Sequence, residues 1–144
     1  MKRRKKRSWL LNFLLMVTLV ASFLAFTAHY KNWTRTESDH FKVLSGIYYE
    51  KVDYAEIQSI QMVPKLPPME RISGFSVKRW EKGVFKDSVS QHISRVYVDD
   101  LRKQKIQVAY RDSLKLFLNF TDSLKTDTMY QFLKRKKDSL QKLL

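Results

Sequence analysis

The sequence predicts a mainly β domain with one closing helix, preceded by a single membrane-spanning helix. Three observations carry this reading. Residues 9–30 form an apolar run without Lys, Arg, Asp or Glu. From Gly46 the hydrophobic residues recur with a period of two, and after Phe120 the period becomes helical and runs without Gly or Pro to Leu144. The expected organisation is a basic head at residues 1–8, a transmembrane helix at 9–30, a polar linker at 31–45 and one domain at 46–144.

The apolar run is the clearest element. Twenty helical residues rise ~30 Å, the thickness of bilayer hydrocarbon, and a single helix satisfies its own backbone there. The run is long for a cleaved signal peptide. Its small-residue sites, ending at Ser22 or Ala28, would place Val20 or Phe26 at the third position before a cut. Lys2, Arg3, Arg4, Lys5, Lys6 and Arg7 precede it, against Lys31, Arg35 and Lys42 in the first dozen residues beyond. Basic flanks stay in the cytoplasm. The expectation is therefore a single-pass inner-membrane protein with a cytoplasmic amino terminus and an external domain. The bilayer is its partner through residues 9–30, and the basic head also attracts anionic head groups. Trp9, His29, Tyr30 and Trp33 suit the two interfaces.

Composition limits what the remainder can be. The chain has 144 residues and no cysteine, which excludes disulfides, thiolate catalysis and Cys-based zinc sites. Removing the six head charges from the net +14 leaves +8 for the rest. Those basic residues are interspersed with acids, so nucleic acid is not an expected partner.

The strands follow in order. Gly46 to Val52 is rich in β-formers, and Glu56 to Val63 follows a short turn at Asp53-Tyr54-Ala55. All three prolines fall between Pro64 and Pro68, which predicts a loop. Arg71 to Arg79 and Gly83 to Lys86 are weaker strands, with Gly74 and Gly83 marking unusual dihedrals. Residues 95–99 and 105–111 alternate strictly. Ile106, Val108 and Tyr110 share one face, as do Leu114, Leu116, Leu118 and Phe120, while Lys115 and Asn119 point away. Asp112-Ser113 reads as a hairpin turn. Thr121 or Asp122 caps the last helix, whose stripe is Leu124, Thr128, Met129, Phe132, Leu133 and Leu140. Seven short antiparallel strands tend to curl, leaving an open end for that helix.

The domain resembles the small pleckstrin-homology-like domains of bacterial proteins. The matching residues are 54–60 (Tyr-Ala-Glu-Ile-Gln-Ser-Ile), Leu66-Pro67 with Arg71 and Gly74, and Lys82-Gly83-Val84-Phe85. They continue with Ile106-Gln107-Val108 and Leu116-Phe117-Leu118-Asn119, running into Asp122 and Thr126. The resemblance covers residues 46–133 and implies a seven-stranded, partly open barrel capped by the carboxy-terminal helix. It implies no phosphoinositide site, because the loop at residues 52–55 carries an acid and no base.

No residue is assigned to catalysis, to a cofactor or to a metal. His29, His40 and His92 lack metal-ligand spacing, and Asp99-Asp100 reads as the start of a turn because neighbours on a strand face opposite ways. Asn32-Trp33-Thr34 and Asn119-Phe120-Thr121 fit the glycosylation triplet, a pattern that recurs by chance. The basic run Lys134-Arg135-Lys136-Lys137 is either a solvated face or a dock for anionic lipid or an acidic partner. The expected role is a non-enzymatic interaction module with a protein partner of unknown identity. The alternative is a small-ligand or lipid-binding barrel, which the many large inward side chains disfavour.

Overall fold

The computed structural model describes residues 3–144; the side chains of residues 1–7 and 28–29 lie outside the described set, and with them the basic head's expected contacts and His29. The chain forms two units, residues 1–30 and 31–144. The first is helix α1, Arg3–Tyr30. Its segment Ser8–Thr27 has a mean hydropathy of 2.2 and no buried residue, so it is long and apolar enough to cross a membrane.

The second unit holds nine strands among the described residues: β1 Asn32–Thr36, β2 His40–Ser45, β3 Tyr48–Asp53, β4 Ile57–Val63, β5 Met69–Val77, β6 Trp80–Asp87, β7 Ile93–Val98, β8 Lys105–Tyr110 and β9 Leu114–Leu118. They build two separate sheets, β1-β2-β3 and β4-β8-β9-β7-β6-β5. Helix α2, Ser123–Lys142, follows. The unit is thus mainly β, as expected, but the seven-stranded barrel is not what forms. The stretch expected to be a linker, residues 31–45, supplies β1 and β2. β1 was illegible as a strand because its inward Asn32 is buried and polar, whereas β2 does turn Phe41 and Val43 inward beside the buried Ser45. The short turn expected at Asp53-Tyr54-Ala55 is present. It is a short 3-10 turn, Tyr54–Glu56, that carries the chain from the small sheet to the large one.

One pairing departs from the antiparallel expectation. β8 and β9 form the anticipated hairpin, with Arg111 and Asp112 both at positive φ. That hairpin inserts β9 beside β7, and the β7–β9 pair is parallel. β9 therefore lies between two strands and is buried on both faces. Leu116, Leu118 and Phe120 join the main core with Ile106, Val108, Tyr110, Phe41 and Val43. Phe117 joins a second cluster on the other face with Phe85, Val96 and Val98, covered by Leu66 of the proline loop.

α2 closes the main core. The Asp122 carboxylate accepts from the Leu124 N–H and caps its first turn. Met129 and Leu133 are buried as anticipated, but the buried stripe also takes in Thr126, whereas Leu124 faces solvent. Thr126 Oγ accepts from the Phe120 N–H at 3.0 Å, which ties the helix start to the end of the sheet.

Candidate functional site

The densest convergence of polar side chains lies where the small sheet meets the large one. Asn32 of β1, Ser45 of β2, Lys82 of β6, Asp99 just beyond β7 and Asn119 just beyond β9 are all buried. Lys82 is 0% exposed and Asp99 3%. Lys82 Nζ donates to Asp99 Oδ1 at 2.5 Å and to Asn32 Oδ1 at 2.8 Å. Asp99 Oδ2 accepts from the Asn32 backbone N–H at 3.1 Å. Ser45 Oγ donates to Asn32 Oδ1 at 2.5 Å. The Asn32 amide nitrogen donates to the carbonyls of Tyr97 and Asn119, at 2.6 and 2.7 Å.

The neighbouring Asn119 works on the backbone. Its oxygen accepts from the N–H groups of Asp99 and Asp100, and its nitrogen donates to the carbonyls of Asp100 and Gln104. Asp99 and Asp100 do stand at a turn, but both are buried with distinct partners. Asp100 accepts from the Arg102 side chain at 3.2 Å, and that bond holds its carboxyl below the usual range. Burial lowers the Lys82 pKa, with Asp99 acting against it. The two Asn-x-Thr triplets thus supply two interior pillars rather than surface acceptors.

A second polar group lies between β3 and the large sheet. The Glu50 carboxylate faces Arg95 at 3.2 Å and Arg111 at 3.7 Å. The hydroxyls of Tyr97 and Tyr110 are buried there, that of Tyr97 without a protein partner and that of Tyr110 beside Glu50. Burial pushes both phenols above their ordinary range, and the Glu50 charge adds to it.

The outward face of the small sheet is amphipathic. Its register places Trp33, Leu44 and Tyr49 in one row across the three strands, all exposed, and Arg35, Lys42 and Lys51 in the next. Arg35 pairs with Glu37 and Lys51 with Asp53, so part of that positive charge is balanced locally. Ile47, at the β2–β3 turn, is 88% exposed.

The basic run on α2 divides. Lys136 lies 5.5 Å over the Tyr54 ring, and Lys134 lies 5.5 Å over Tyr130. Arg135 and Lys136 border an open cleft of about 620 Å³ with Tyr54, Phe132 and Leu140. These cations are partly engaged by aromatic faces rather than uniformly free in solvent.

Sequence reasoning missed the Asn32–Lys82–Asp99 convergence. Nothing in Trp80-Glu81-Lys82-Gly83 distinguishes a buried lysine from a surface one; the only local signal is Gly83, whose missing Cβ lets β5 approach closely. No family model, curated protein or solved structure matches the chain.

Proposed function

We propose that the protein is a membrane-anchored, non-enzymatic interaction module. The observation that carries this reading is the apolar segment Ser8–Thr27, with no buried residue, in a helix that ends at Tyr30 just ahead of a filled β unit. An apolar surface of that size requires a nonaqueous environment. The excess of basic residues before the apolar segment favours a cytoplasmic amino terminus and an external β unit.

Two further features support binding over turnover. The richest polar cluster is closed to solvent and joins the two sheets, so it offers no substrate an approach. The exposed side chains that do share a surface, Trp33, Leu44, Tyr49 and Ile47, are of the kind that docks against another protein. The likeness in sequence to bacterial pleckstrin-homology-like domains points the same way, towards a scaffold that presents surfaces.

The test is membrane fractionation with protease accessibility. Full-length protein should stay in the pellet after salt and alkaline washes. In intact spheroplasts, added protease should remove the β unit. Release by salt would overturn the anchor; protection from protease would overturn the external placement. Replacing Leu44 and Tyr49 by Asp should abolish site-specific crosslinks formed from Ile47, and unchanged crosslinks would move the docking face elsewhere.

A further inference from the structure

We propose that the protein forms an internal amide bond between the Lys82 side-chain amine and the Asn32 side-chain carbonyl carbon, with Asp99 as the proton acceptor. The proposal rests on what the fold brings together, and it is independent of the membrane reading above.

An amide bond between two side chains needs a neutral amine, an acyl carbon within reach, a base, and the absence of water. The structure supplies each. Lys82 Nζ is 2.8 Å from Asn32 Oδ1; with a C=O bond of ~1.23 Å, Nζ is at most about 4 Å from Asn32 Cγ. Asp99 Oδ1 is 2.5 Å from the same Nζ and is placed to take its proton. Lys82, Asn32, Asp99 and Ser45 are all buried, so no water competes for the acyl carbon. Burial itself lowers the amine's proton affinity.

The groups around Asn32 match the charge that develops in the reaction. Ser45 Oγ donates to Asn32 Oδ1, where negative charge gathers when the amine adds to Cγ. The Asn32 amide nitrogen, which must leave, is held by the carbonyls of Tyr97 and Asn119. The bond formed is Lys82 Nζ to Asn32 Cγ; the bond broken is Asn32 Cγ to Nδ2. The lysine ammonium gives up two protons. One leaves on Nδ2, which departs as ammonia, and the other stays on Asp99. No oxidant, reductant or added cofactor takes part, and the product replaces a buried ion pair by neutral groups.

Residues Asn32 and Lys82 belong to β1 and β6, in different sheets. The bond would therefore fasten the strand that follows α1 covalently to the large sheet.

Tryptic mapping of full-length protein, purified in detergent and denatured, tests this. The expected product is a branched species in which residues 32–35 are joined to residues 80–86, uncut after Lys82, and about 17 Da lighter than the two peptides together. Linear residues 32–35 with normal cleavage after Lys82 would overturn the proposal. So would loss of the same mass confined to Asn32, the sign of a cyclic imide. Asp99→Asn should return the linear peptides; a branched species in that variant would remove Asp99 from the reaction. The wild-type map decides the bond even where the variant fails to fold.

Discussion

Gly74 and Gly83 face one another across β5 and β6 with their backbones in contact: a Cβ on Gly74 would lie 2.1 Å from the Lys82 carbonyl oxygen, and one on Gly83 would lie 2.1 Å from that of Ser73. Both have positive φ, +126° and +148°, outside the range of other residues. Alanine at either position combines backbone strain with a clash against main chain. Each substitution should cost at least about 2 kcal/mol, read as a fall of about 8 °C in the melting temperature of detergent-purified protein. A shift near zero would mean that the two strands part freely.

Asn119 bonds to two backbone N–H groups and two carbonyls at once. Asn119→Ala strips the buried N–H groups of Asp99 and Asp100 of that partner, while the Asp100 carbonyl keeps the Lys103 N–H; the cost should be about 3 kcal/mol. Hydrogen exchange localises the effect. The amides of Asp99 and Asp100 should exchange faster in the variant, and unchanged protection there would show that other groups take over.

Acid should destabilise the β unit through two named carboxylates. The N–H groups of Ser90 and Val89 hold the Asp87 pKa below the ordinary 3.8, and Arg102 does the same for Asp100. Below 3.8 the unfolded chain takes up protons that the folded one still refuses. Their stabilisation is complete above that value and is lost as pH falls through the depressed folded values. Asp100→Asn should flatten this acid limb in pH-dependent melts, and an unaltered limb would exclude Asp100 as its source.

Alkali should act through buried phenols. Burial raises Tyr54 to about 12 and lifts Tyr97 and Tyr110 as well. Between the ordinary value of 10.0 and those raised values the folded chain keeps protons that the unfolded chain has lost. Stability is therefore full below 10.0 and declines as pH rises through the folded values. Tyr97→Phe removes a hydroxyl that has no protein partner, so it should cost under about 1 kcal/mol at neutral pH and soften the alkaline decline. A large neutral-pH loss would reveal an ordered water or other partner on that hydroxyl.

What was legible in the sequence follows from which elements are half-buried. β7, β8 and β9 were the most readable strands because Val, Ile, Leu or an aromatic residue recurs at every second position, whereas β5, with no buried residue, gave only a weak signal around Gly74. The Asp122 cap was readable because it depends on one side chain and the next turn. β1 was not, since its inward Asn32 looks like a surface residue, and β2 was set aside with it although Phe41 and Val43 alternate. The two-sheet arrangement and the parallel β7–β9 pair depend on where the β8–β9 hairpin inserts, which no local pattern records. The polar junction at Lys82 was invisible for a related reason. Its members come from five separate stretches, each of which is ordinary until the fold joins them.

Only Lys31 stands between the end of α1 and β1, and the next residue, Asn32, is already locked among Ser45, Lys82 and Tyr97. Load entering the β unit at its first residue would therefore meet no yielding stretch: Asn32 itself makes the bonds that stitch the two sheets together, so pulling there strains the seam directly.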